Sequence, residues 1–259
     1  MKYSLHIGIN KYSPIIYGYG NDLNACVQDA EDMWSYAERA GVPIQNTIHL
    51  LDENATVENF KKFVTSFGEK AVSGDTFILS YSSHGTQVYD ANGDEPDTLD
   101  EAICMHNGIV YDDEVSEILS KFKKGVLIII YADTCHSESQ FRLMNQNVNF
   151  IRKSKFTSVL KGYHKNNKSA SFRNKIVCKV IEFAACRSNS TALDGQVNGY
   201  FTEHVMKVIR SKQKSIIATG LKLPRYKSFI KDLTKSMGDT QIPTLTTHNI
   251  PRWNNPRIF

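Results

Sequence analysis

The stretch Val126-Leu-Ile-Ile-Ile-Tyr-Ala-Asp-Thr-Cys-His-Ser137 decides how this chain reads. Its uninterrupted apolar start, rich in β-branched side chains, predicts a strand buried on both faces, as in a parallel sheet. The thiol of Cys135 then falls just beyond the strand's carboxyl end. A second apolar run, Asp75-Thr-Phe-Ile-Leu-Ser-Tyr81, ends in Ser82-Ser-His-Gly85. Open α/β sheets place their sites at the carboxyl ends of strands, so Cys135 and His84 are expected to meet. Neutral imidazole can take the thiol proton and leave a thiolate, the nucleophile of cysteine catalysis. A lone cysteine after a strand is usually buried and inert. The His-Gly at a second strand end tips the balance toward chemistry.

Outward from this pair the chain alternates strands and helices. Residues 3–9 read as a strand, followed by a Tyr- and Gly-rich loop from Tyr12 to Gly20. A helix starting near Asp22 carries Leu23, Cys26, Val27, Ala30, Met33, Trp34 and Ala37 at helical spacing, and Gly41 suits its end. Thr47-Ile-His-Leu-Leu51 is a short strand, and Thr56 caps a helix with Val57, Phe60, Val64 and Phe67 on one face. This rhythm predicts a mostly parallel sheet with right-handed crossovers. Between the two site-bearing strands lie an acidic loop, Asp90–Asp97, and a small hairpin with Asn107-Gly108 as its turn signal. Asp112 is placed to cap the next helix. Later come a strand over 176–185, a helix after Phe201-Thr202, another after Pro224 and a last strand over 243–247.

A length of 259 residues with 41% hydrophobic content suits one large α/β domain or two small ones, and a single domain over 1–259 is expected. Met1–Ile9 alternates like a strand and lacks the apolar block of a signal peptide, and no run suits a membrane span. Five dispersed cysteines without a Cys-x-x-Cys pair argue against a disulfide framework or structural zinc, so a reducing cytoplasm is expected. The net charge of +4 hides an asymmetry: residues 1–140 hold 9 Lys+Arg against 22 Asp+Glu, and residues 141–259 hold 22 against 5. An acidic half around Cys135 and His84 favours a basic substrate. The basic half lacks stacking aromatics among its charges, so a solvated surface is the better reading than a nucleic-acid site.

The His-Gly after one strand, and Asp-x-Cys-His-Ser after the next, resemble the metacaspases and bacterial orthocaspases among the caspase-like cysteine peptidases. The separation of 51 positions between His84 and Cys135 is similar to caspase spacing. The resemblance extends over nearly the whole chain. It implies a caspase-like three-layer sandwich with a mostly parallel six-stranded sheet flanked by helices. It further implies a large-subunit-like part over 1–140, a basic linker over 141–175 and a small-subunit-like part over 176–259. His84 and Cys135 would be the catalytic dyad, with backbone N–H groups of Gly85 and Cys135 holding the oxyanion. His136 would be a structural neighbour, because adjacent side chains diverge.

In that family the substrate's basic side chain enters a pocket built from elements that Cys26-Val-Gln-Asp29, Ser82 and Asp133 resemble. Carboxylates suit it on physical grounds, since they pair bidentately with guanidinium. Glu182–Ala192 and Gly199-Tyr-Phe-Thr202 resemble the segment that lines the family's cleft. Two positions depart from the family pattern: Ser83 stands where Gly is usual before the His, and Glu138 where Gly is usual after Cys-His-Ser. Many eukaryotic relatives use calcium, and Asp112 and Asp113, with Asp100 as a third acid, match that set. Arg142, however, occupies a position that is often acidic. Calcium is thus an open expectation, and no other cofactor is implied. Nine basic residues and no acid between Phe141 and Lys175 make self-cleavage at Lys161, Lys165 and Lys168 the further expectation. The rival functions are a catalytically silent scaffold of the same fold and a nucleic-acid-binding module using the basic half. An Arg-peptide assay with a Cys135→Ala control tests the first, and salt-dependent binding the second.

Overall fold

The computed structural model describes residues 1–89, 99–136, 175–185, 198–219, 224–251 and 254–258, with side chains except at 87–89, 99–101, 135–136 and 213–219. The acidic loop, Glu138, the linker with its Arg142, Lys161, Lys165 and Lys168, and Cys186–Ala192 lie outside the described residues.

β-Branched and aromatic runs form β1 (Lys2–Gly8), β2 (Thr47–Leu51), β3 (Thr76–Tyr89), β6 (Leu127–His136) and β7 (Lys179–Ala184), all parallel in the order β2-β1-β3-β6-β7. An antiparallel β8 (Thr244–His248) closes the far edge. The expected six strands are thus present, but the sheet has eight. β4 (Leu99–Met105) pairs antiparallel with the far half of β3 and makes a hairpin with β5 (Gly108–Tyr111). The apolar pattern of β3 stops at Tyr81, yet its backbone continues to Tyr89 because β6 pairs with it as far as Gly85 and β4 offers a new ladder partner from Gly85 onward.

Side chains on a strand alternate between faces, and each face here meets helices. Tyr3, Leu5, Ile7, Phe77, Leu79, Ile128 and Ile130 pack with Phe60, Val64 and Phe67 of α3 (Val57–Lys70) and Ile118 and Leu119 of α4 (Asp112–Leu119). On the other face Ile78, Ile129, Tyr131, Ile181 and Phe183 pack with Met33 and Tyr36 of α2 (Cys26–Arg39), Phe201 and Val205 of α5 (Tyr200–Thr219) and Phe229 of α6 (Tyr226–Met237). A short α1 (Pro14–Tyr17) interrupts the expected loop, with Pro at a first-turn position where its missing N–H is harmless.

Helix starts follow local chemistry. The Thr56 side chain accepts from the Asn59 N–H at 3.1 Å, as expected. α4 is capped differently from the expectation: Tyr111 is its N-cap, Glu114 reaches back to the Tyr111 N–H at 3.2 Å, and Asp112 is the first helical residue. α2 begins four residues later than Asp22, because its cap comes from elsewhere. Asn10 Oδ1 accepts from the N–H groups of Cys26 and Val27 at 2.9 and 3.3 Å.

The strand order runs from β1 outward to β2, then returns to the opposite side of β1 with β3. That reversal opens a crevice at the carboxyl ends of β1 and β3, where α/β sheets bind their ligands.

Candidate active site

β3 and β6 carry the two expected dyad residues in one parallel register. His84 pairs with Cys135, and two positions earlier Ser82 pairs with Asp133. A strand pair of this kind spaces its neighbours by about 4.8 Å, so the backbone sets the proximity before any side chain acts. Gly85, the other expected oxyanion donor, is buried and pairs with His136 on one side and Ile103 on the other.

The loop after β1 fixes the imidazole. The Tyr12 hydroxyl accepts from the His84 backbone N–H at 2.8 Å, and its ring lies 5.0 Å from the imidazole, centroid to centroid. His84 Nε2 lies 2.9 Å from the Asn21 carbonyl oxygen. A carbonyl only accepts, so Nε2 carries the proton and Nδ1 is the basic nitrogen of the neutral ring. Asn21 also ties its own loop, donating from Nδ2 to the Tyr17 carbonyl at 2.8 Å. The Tyr17 hydroxyl donates to the carbonyls of Met105 and Gly108 in the β4–β5 turn.

The expected pocket residues Asp29, Ser82 and Asp133 come together under this dyad and are buried, at 1%, 4% and 8% exposure. Ser82 Oγ donates to Asp29 Oδ2 at 2.7 Å. Asn198 Nδ2 and the Gly199 N–H both donate to Asp29 Oδ1 at 3.0 Å. Asp133 Oδ2 accepts from the N–H and the hydroxyl of Thr202, at 3.0 and 2.8 Å. Gly199 stands between the carboxylates: a Cβ there would lie 2.3 Å from Asp133 Oδ2 and 2.9 Å from Asp29 Oδ2. Burial raises the Asp29 pKa, and so does the neighbouring charge of Asp133; its hydrogen bonds from Ser82, Asn198 and Gly199 oppose the rise. Two buried carboxylates this close favour a cation between them.

Cys26, the other residue expected at the pocket, opens α2. It is buried at 5% exposure, and its carbonyl presses on Gly8, where a Cβ would lie 2.2 Å from that oxygen. The close approach seats the start of α2 on the end of β1 and aims Asp29 at Ser82. Asp112 and Asp113 are two of the expected calcium acids. Asp112 and Asp113 open α4, and the Asp113 N–H donates to Asp112 Oδ1 at 2.9 Å, which occupies that oxygen locally. The Asp100 side chain is outside the described residues, and among those described no group of three or more His, Cys, Asp or Glu could hold a metal.

Comparison with known proteins adds the family. The Caspase domain family matches residues 1–253. The chain belongs to the Caspase domain family. Metacaspase-2 of Trypanosoma brucei brucei is 29% identical over 149 residues, covering 52% of this chain and 41% of that protein. Metacaspase-4 of Arabidopsis thaliana is 32% identical over 145 residues, covering 52% of this chain and 33% of that protein. The matched part thus spans well under half the length of these relatives. Protein GSU0716 from Geobacter sulfurreducens superposes with a TM-score of 0.79 at 28% identity, covering 99% of this chain and 97% of that one. Caspase-1 from Spodoptera frugiperda superposes at 0.54 with 9% identity over 95% and 87% of the two chains, a likeness of fold alone. The caspase-like α/β sandwich is therefore this domain's fold. Among its described residues no helix is long and apolar enough to cross a membrane.

Sequence reading had not found Asn198 or the carbonyl of Asn21. Neither residue type announces such a role, since one acts through an amide in a loop and the other through its backbone.

Proposed function

We propose that this caspase domain is a cysteine endopeptidase that cleaves proteins after Arg or Lys through a Cys135–His84 dyad. The observation that carries the proposal is the shared register, His84 with Cys135 and Ser82 with Asp133, with Asp29 bonded to Ser82. His84 Nδ1 takes the proton of Cys135, and the thiolate attacks the scissile carbonyl carbon. The tetrahedral oxyanion accepts from the backbone N–H groups of Gly85 and Cys135, donors placed where charge develops. His84 returns its proton to the leaving amine as the C–N bond breaks. Water, deprotonated by the same imidazole, then hydrolyses the thioester and frees Cys135.

The substrate guanidinium or ammonium enters between Asp29 and Asp133, where its N–H groups replace those of Asn198 and Gly199 and bring both carboxylates to the charged form. An acid-bearing side chain at that position meets two like charges and is rejected. The basic linker is a substrate of the same kind, and Lys161, Lys165 and Lys168 are its proposed self-cleavage sites. A cytoplasmic setting suits a catalytic thiol. No step passes through calcium, which enters as a variable of the test.

The test is cleavage of a peptide library varied at the residue before the scissile bond, with and without added calcium. Turnover of Arg and Lys peptides and none of Asp peptides is expected. A preference for Asp, or for no residue, would overturn the pocket assignment.

A further inference from the structure

β1 leaves the sheet after Gly8 while β3 runs on, and His84 lies in the part of β3 that has lost this neighbour. The register of the two strands ends with Gly8 opposite Ser82, and their last bond runs from the Ile9 N–H to the Ser82 carbonyl at 3.1 Å. Backbone groups of a strand face the same neighbour at every second residue. The N–H of His84 therefore points to the side that β1 has vacated. His84 is buried, and a buried N–H needs an acceptor.

Tyr12 supplies it. Its hydroxyl oxygen accepts from this N–H at 2.8 Å, doing for His84 what a further carbonyl of β1 would do. Tyr12 is itself firmly placed. One oxygen of Asp52, a residue at a left-handed φ of 45°, accepts from the N–H groups of Asn10 and Lys11 at 2.7 and 2.9 Å, which clamps the two residues before Tyr12. The buried Tyr12 ring packs edge-on to Tyr17 at 5.2 Å and tilted against the imidazole at 5.0 Å, centroid to centroid. Ring and hydroxyl act on different parts of His84. The ring touches the imidazole, and the hydroxyl holds the backbone from which the imidazole hangs.

We propose that Tyr12 is a positioning residue of the reaction, its hydroxyl fixing the His84 backbone and so keeping the imidazole in place against Cys135. The inference rests on the peptidase reading above and adds a residue to it. His84 shares its register position with Cys135, so a shift of the His84 backbone moves the base relative to the thiol. Ser82 and Asp133, two positions earlier, have their own bonds to Asp29 and Thr202. Loss of the Tyr12 hydroxyl should therefore slow the chemistry without weakening substrate binding.

Tyr12→Phe keeps the ring and deletes the acceptor. The full chain and this variant are compared in kcat and KM on an Arg peptide and in melting temperature. The pH dependence of Cys135 alkylation by iodoacetamide is measured on both, with Cys135→Ala as the blank. In Tyr12→Phe kcat should fall by about tenfold, within the roughly 100-fold that a 1 Å misplacement can cost, while KM stays as in wild type. Alkylation, which needs no peptide, should shift toward the pH of an ordinary thiol, about 8.5, because the imidazole no longer meets the thiol squarely. A tyrosine with a structural role alone would change the melting temperature and neither of these. Wild-type kcat in Tyr12→Phe, a loss carried by KM, or an unmoved alkylation profile overturns this inference alone. Failure of wild type to cleave any Arg or Lys peptide overturns the peptidase reading and the inference with it.

Discussion

Gly199→Ala should disable the acidic pocket while leaving the sheet intact. The added Cβ would lie 2.3 Å from Asp133 Oδ2 and 2.9 Å from Asp29 Oδ2. An ordinary C···O contact is about 3.3 Å or more, so the shorter approach demands a shift of about 1 Å. Neither carboxylate gives way readily. Asp133 is held by two hydrogen bonds from Thr202, and Asp29 by Ser82 and Asn198. A 1 Å misplacement at a site can cost on the order of 100-fold in rate, or about 2.7 kcal/mol of transition-state stabilisation. Overpacking should lower fold stability by about 1–3 kcal/mol as well. The assay pairs kcat/KM on an Arg peptide with urea unfolding of the same preparation. The expected outcome is a folded protein with a roughly 100-fold loss. A variant with wild-type kcat/KM and wild-type stability would refute the placement of Gly199 between the two acids.

Other consequences are independent of that position. Asp133→Ala should remove most activity on basic substrates without unfolding the protein, and full activity with an unaltered Arg preference would count against the pocket. His6 is buried beside His49 and Ser80, and desolvation lowers its pKa to about 3, with the His49 charge adding to the effect. Because the folded pKa lies below the unfolded value of about 6.5, its contribution is complete above that pH and is lost as pH falls toward 3. Roughly 2 kcal/mol should be gone at pH 5; urea unfolding at pH 7 and pH 5 checks this, and a His6→Gln variant with the same loss would show that another group is responsible. Prolonged incubation of wild type should yield cuts within 152–175, favouring Lys161, Lys165 and Lys168, that are missing in Cys135→Ala. Identical intact masses for both proteins would exclude self-processing.

Much of the frame is written in local pattern. The runs at 47–51 and 126–132 are strands because β-branched side chains pack well on a pleated surface, and Thr56 caps α3 because its hydroxyl reaches an amide that the helix cannot satisfy internally. What escaped the sequence depends on distant partners. β3 continues past its apolar segment because β6 pairs with it as far as Gly85 and β4 from Gly85 to Tyr89. α2 starts at Cys26 because Asn10, on the far side of a loop, caps it. At the site, Cys135, His84, Asp29, Ser82 and Asp133 were readable as reactive or charged groups at strand and helix ends. Their grouping around Gly199 was not, since a glycine's value there lies in the absence of a side chain. Equally hidden was the Asn21 carbonyl, a group every residue possesses.

The central claim is that Cys135 attacks and His84 moves the proton. It is tested most directly by measuring kcat/KM on one Arg peptide for wild type, Cys135→Ala and His84→Ala purified side by side. The account predicts no turnover above background for Cys135→Ala and a loss of several orders of magnitude for His84→Ala, with both variants folded. Turnover that survives in Cys135→Ala would contradict it.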